Sequence, residues 1–123
     1  IDYPQGLTKG LCNYKHNLII IGQAPWTIRI DIMPDGKARY SSWKEKSCKE
    51  TPDIVLKNGS HTSEPKDGDP KQSKEKYSFR NGEYIYEISW TLDYMFNPIN
   101  PKDWKVVVKR NDKVLMTLSG KEK

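Results

Sequence analysis

The chain has 2 Cys, 3 Met and 2 Phe among 123 residues, and its histidines number only 2. Each scarcity excludes something. Cys12 and Cys48 belong to no CxxC spacing and have no histidine nearby at ligand spacing, so they fall two ligands short of a structural zinc site. The longest aliphatic run is Leu18-Ile19-Ile20-Ile21, far below the roughly 20 residues that a membrane-spanning helix needs. His16 and His61 lie outside any HExxH pattern. The nucleophile elbow GxSxG, the phosphate-binding GxxxxGK[ST] and the dinucleotide GxGxxG are all missing. No apolar period of 3.6 residues appears, which predicts little helix. No metal or cofactor is expected, and the chain reads as non-enzymatic.

Glu83 and Glu87 are the one carboxylate pair that invites an acid–base reading. On one face of a strand their α-carbons stand about 13–14 Å apart, beyond the about 5–9.5 Å between the carboxylates of glycosidases. Arg80 and Lys76 are their expected ion partners.

What the chain does have is charge. Charged residues make up 30% and hydrophobic ones 35%, with a net charge of +5. A chain of this length suits a single β domain, here 1–123. Residues 101–123 hold 7 basic and 3 acidic groups, while 44–76 hold 8 and 7. Lys102, Lys105, Lys109, Arg110, Lys113, Lys121 and Lys123 could meet nucleic acid or another polyanion; lysines equally solubilise an exposed strand and blunt a sheet edge. The sequence opens on Ile1 rather than Met, which suggests a removed leader and an exported, periplasmic or secreted protein. A disulfide between Cys12 and Cys48 agrees with such a compartment and would add about 3–4 kcal/mol by restricting the unfolded chain.

Hairpins dominate the pattern. Over 26–33, Trp26, Ile28, Ile30 and Ile32 alternate with Thr27, Arg29 and Asp31. Pro34-Asp35-Gly36 then forms a three-residue loop that pairs Ile32 with Ala38 and Ile30 with Tyr40, and sets Asp31 against Arg39 on the outer face. Asn81-Gly82 predicts a two-residue turn pairing Arg80 with Glu83, Phe79 with Tyr84, Tyr77 with Tyr86 and Lys76 with Glu87. Ile88, Trp90 and Leu92 continue the apolar face. A third hairpin, closed by Asn111-Asp112-Lys113, collects Trp104, Val106, Val108, Val114, Met116 and Leu118 on one side. Further strands are expected at 17–21 and 53–56. The stretch 58–76 is rich in Gly, Ser, Pro and charge and reads as a mobile loop. The expected fold class is all-β, an antiparallel hairpin-built sandwich or small barrel with one disulfide.

Binding features stand out more than chemistry. The connection 94–101, Tyr-Met-Phe-Asn-Pro-Ile-Asn-Pro, is apolar and broken by prolines, so Tyr94, Phe96 and Ile99 are candidate contacts for a partner; a loop folded back to cap one end of the core fits the same pattern equally well. Trp43 falls on the polar side of the first hairpin and joins them. Asp35 and Lys37 flank an exposed turn.

The segment Gly36-Lys37-Ala38-Arg39-Tyr40-Ser41 resembles the Ser-Gly-x-x-Tyr segment of bacterial periplasmic lysozyme inhibitors, with Asp35 in place of the serine and one extra residue before Tyr40. The size and the architecture also resemble immunity proteins against type VI secretion effectors. The resemblance implies a non-enzymatic inhibitor or immunity protein that blocks another protein, such as a cell-wall-degrading effector or toxin. Its basic charge fits an acidic partner better than a basic lysozyme. The alternatives are a nucleic-acid or polyanion-binding small β-barrel and a secreted adhesin or effector subunit. A homo-oligomer is compatible with each.

Overall fold

The structure, a computed structural model, describes residues 11, 13–45, 50–96 and 99–120. It is all-β, with eight antiparallel strands that pair in chain order: β1 His16–Gln23, β2 Trp26–Ile32, β3 Ala38–Lys44, β4 Ile54–Lys66, β5 Asp69–Asn81, β6 Tyr84–Asp93, β7 Lys102–Arg110 and β8 Lys113–Ser119. The chain divides into two compact units, Ile1–Gly59 and Ser60–Lys123, with β4 contributing to both. The expected disulfide lies outside the described residues, as do Cys12 and Cys48.

In the first unit the alternation predicted for β2 and the loop after it are borne out. Ile32 pairs with Ala38, Asp31 with Arg39 and Ile30 with Tyr40. Gly36 takes φ +86°, and the amide of Met33 donates to the Lys37 carbonyl at 2.8 Å. One face gathers Ile19, Ile21, Ile28, Ile30 and Tyr40, all at most 7% exposed.

The opposite face, expected to meet water, is buried as well. Arg29 and Asp31 are fully buried and Arg39 is 1% exposed. The Arg29 Nε donates to both Asp31 oxygens at 2.9 and 2.8 Å, and Arg39 Nη2 reaches Asp31 at 3.1 Å and the Leu11 carbonyl at 2.9 Å. The Tyr14 ring lies 4.6 Å from the Arg29 guanidinium. Leu11 and Tyr14 thus belong to a segment that covers the polar face. Burial opposes the charge on Arg29, yet the hydrogen bond and charge of Asp31, with a lesser part from Tyr14, raise its pKa.

In the second unit, 58–76 is strand and not the expected loop. β4 and β5 form a long hairpin that turns at Asp67-Gly68, with φ +52° and +75°, the left-handed pair that a type I′ turn requires. Asp69 Oδ1 accepts the Lys71 amide at 2.9 Å. These strands lack an apolar alternation because both sides of 61–65 are exposed, so the backbone ladder and polar side chains hold them.

The β5–β6 register differs from expectation by two residues. Asn81 pairs with Tyr84, Phe79 with Tyr86, Tyr77 with Ile88 and Glu75 with Trp90, which leaves Gly82-Glu83 in the turn. Gly82 has φ +63°, as glycine does at the first central position of a type II′ turn. A shift of two preserves the faces, so Tyr77, Phe79, Ile88 and Trp90 still form the buried side. Of the two expected ion pairs, Lys76–Glu87 is kept and Arg80–Glu83 is not. Glu83 meets Arg110 at 3.0 Å instead of Arg80, and Glu87 meets Lys76 diagonally at 3.3 Å and Lys109 at 2.9 Å. Between β7 and β8 the turn is Asn111-Asp112, both at positive φ, with Arg110 opposite Lys113. A bulge next to Lys109 then restores the expected pairs Val108–Met116 and Val106–Leu118.

Candidate functional site

At the end of β6 the chain leaves the ladder abruptly, and its apolar residues go outward. Asp93 organises the turn: its Oδ1 accepts the Met95 amide at 3.0 Å, and its Oδ2 lies 3.3 Å from Gln72 Nε2 and 3.5 Å from Lys102 Nζ. The Tyr94 amide donates to the Lys71 carbonyl at 2.8 Å, and the Tyr94 hydroxyl is 2.7 Å from Ser73 Oγ. The base is therefore tied to β5 and β7. Above it Tyr94 is 48% exposed, Met95 67%, Phe96 62% and Ile99 45%. The Lys102 ammonium sits 5.7 Å from the Phe96 ring. Asn97 and Pro98 lie outside the described residues. The reading of the sequence named Tyr94, Phe96 and Ile99 and passed over Met95, the most exposed of the four; its place within the same apolar run was the available signal.

Trp43 does not belong to such a surface. It is fully buried, and its Nε1 donates to the Glu50 carbonyl at 2.8 Å. The polar side of the first hairpin on which it lies is covered, together with Arg29, Asp31, Arg39 and Ser41.

Asp35 and Lys37 are exposed in the first unit, where the Asp35 carboxylate accepts the Lys37 amide at 2.9 Å. With Asn13, Met33, Lys57 and Asn58 they line a shallow cleft of about 270 Å³. Of the segment that carries the family resemblance, Gly36 and Lys37 are exposed, whereas Ala38, Arg39, Tyr40 and Ser41 are at most 3% exposed.

A polar cluster on β4 and β5 holds the residue types of a catalytic relay in another order. Glu75 stands in the middle: His61 Nε2 is 2.8 Å from its Oε1, and Ser63 Oγ donates to its Oε2. That imidazole nitrogen is engaged by the carboxylate, and the serine hydroxyl is turned to the carboxylate rather than to the imidazole, so the order differs from that of a serine–histidine–carboxylate relay. His61 stacks on Tyr77 at 4.3 Å, and Tyr77 on Trp90 at 5.3 Å. Burial of Glu75 disfavours its charge, but hydrogen bonds from Ser63, His61 and Ser73 outweigh this and hold its pKa below the ordinary value. Burial, and then the charge of Glu75, push the Tyr77 phenol up.

Among the described residues, no group of three or more His, Cys, Asp or Glu is placed to hold a metal ion. Nor is any helix among them long and apolar enough to cross a membrane. Several of the C-terminal cations are already engaged: Lys102 by Asp93, Lys109 by Glu87 and Arg110 by Glu83. That lowers the charge which this part of the chain offers to a polyanion. Compared with known proteins, the chain matches no family model, no curated protein and no solved structure.

Proposed function

We propose that the protein is a non-enzymatic binding protein of the inhibitor or immunity kind, which inserts the exposed Tyr94, Met95, Phe96 and Ile99 into a cleft of a partner protein. The observation that carries this reading is the outward placement of Tyr94, Met95, Phe96 and Ile99 on a base held by Asp93, Ser73 and Lys102. Large apolar side chains exposed together cost solubility unless something covers them. A turn whose base is fixed loses little conformational entropy on docking, so more of the contact energy remains as affinity. Aromatic anchors at the centre of an interface contribute most of it. An exported compartment and a cell-wall hydrolase or toxin as partner belong to this proposal.

The experiment is recovery of the protein from its native compartment under gentle conditions, repeated at high salt, with wild type and a Met95→Ala/Phe96→Ala double variant. A stoichiometric protein partner that survives high salt with wild type and is lost with the folded variant is the expected result. Both side chains are exposed, so the variant should retain wild-type stability to within about 0.5 kcal/mol per site. Nucleic acid that co-purifies at low salt and leaves at high salt would replace the proposal with polyanion binding.

A further inference from the structure

We propose that Met95 is a site of reversible oxidation, and that its sulfoxide weakens the binding surface it forms with Tyr94, Phe96 and Ile99. This regulation of the surface rests on the binding role proposed above. The sequence holds 3 methionines, at positions 33, 95 and 116, and the fold treats them differently. Met95 is 67% exposed, whereas Met33 and Met116 are half-buried. Met116 stands on β8 opposite the buried Val108, and Met33 closes the β2–β3 loop with its amide on the Lys37 carbonyl at 2.8 Å. An oxidant dissolved in water therefore meets the thioether of Met95 before the other two.

The oxidant class is a peroxide. The Sδ lone pair attacks one peroxide oxygen, the O–O bond breaks as the S–O bond forms, and the departing hydroxide takes the proton of the transferred oxygen and leaves as water. Sulfur is oxidised and the peroxide reduced, with no further reactant. Tyr94, Phe96 and Ile99 offer dilute peroxide no comparable nucleophile, so the thioether is the chemically labile position of the surface.

The local structure tolerates the product. The base of the turn is held by the Met95 amide on Asp93 Oδ1 at 3.0 Å, the Tyr94 amide on the Lys71 carbonyl, the Tyr94 hydroxyl beside Ser73 Oγ, and Lys102 beside Asp93. None of these contacts uses the Met95 side chain, so oxidation leaves the base and the fold intact. Its effect falls on docking. A flexible apolar group becomes a polar one carrying an S=O acceptor, and burying that oxygen among apolar and aromatic side chains costs free energy unless the partner supplies a donor.

The test exposes the full chain to a graded series of hydrogen peroxide and follows each methionine by peptide mass spectrometry. Met95 sulfoxide should form several-fold faster than the sulfoxides of Met33 and Met116. Retention on a hydrophobic-interaction column should fall with it, and should fall equally in a Met33→Leu/Met116→Leu variant, which keeps Met95 as the only one of the three. The dissociation constant for the captured partner should rise about tenfold and return after treatment with methionine sulfoxide reductases. A Met95→Leu variant, compared only with itself, should bind equally before and after peroxide, which separates Met95 from any oxidation of Cys12 or Cys48. Equal or faster oxidation of Met33 or Met116 overturns the proposal, as does unchanged retention, or partner binding indifferent to complete oxidation of Met95. If the untreated protein captures no partner, the function proposed above falls instead, and the order of oxidation together with the change in retention decides the modification.

Discussion

Two buried guanidinium groups converge on the Asp31 carboxylate, and Asn17 Nδ2 adds a hydrogen bond at 3.0 Å. Taking these charges out of water is costly, and their mutual attraction offsets that cost only while the set is whole. Asp31→Asn should therefore destabilise the protein by about 3–5 kcal/mol, measured by urea unfolding. A loss below about 1 kcal/mol would mean that water screens the group as it does a surface pair. The same face explains why Trp43 was misplaced by its sequence. A period of two says that Trp43, Arg29 and Asp31 share a side, but which side meets water depends on the segment of Leu11 and Tyr14, whose position no local pattern encodes. For 94–99 the sequence left outward projection and folding back over the core equally open, and the structure exposes Tyr94, Phe96 and Ile99.

At the scale of elements, turn chemistry was the more dependable guide where glycine was weighed with its neighbours. Pro34-Asp35-Gly36 set the β2–β3 register as expected. Asp67-Gly68 carried an equally clear hairpin signal, and the absence of apolar alternation around it hid the facing halves of β4 and β5, whose far ends at 53–56 and 76–80 were expected as strand. Gly68 has φ +75°, so Gly68→Ala should cost about 1–2 kcal/mol. Thermal unfolding of the variant checks this; an unchanged midpoint would show that the hairpin tip adapts without loss. At Asn81-Gly82 the dipeptide rule identified the hairpin and missed its register by two. Both registers put the same residues on the buried face, so pattern could not separate them. The pairings of Phe79 with Tyr86 and Glu75 with Trp90 accompany the register that the fold adopts.

Across the molecule, carboxylates held by hydrogen bonds set the response to acid. Glu75 and Glu87 both ionise below the ordinary value of 4.5; burial opposes this, and Ser63, His61 and Ser73 for the one, Lys109 and Lys76 for the other, outweigh it. A carboxyl whose pKa is lowered on folding adds stability above its unfolded value, and loses it as pH falls through the folded value. The melting temperature should therefore drop as pH is taken below 4.5. Glu87→Gln should lie below wild type at pH 7 and show a shallower drop in acid. Parallel curves for the two proteins would remove Glu87 from this account.

Length, alternation and turn residues by themselves determined the all-β class, most strand positions and the faces of β5 and β6, because each depends on neighbours a few residues apart. The tertiary structure alone decided that both faces of β2 and β3 are buried, that 58–76 pairs as strands, and which carboxylate each lysine meets. Those outcomes depend on competition between distant segments for the same surface, and a period of two cannot express which segment wins.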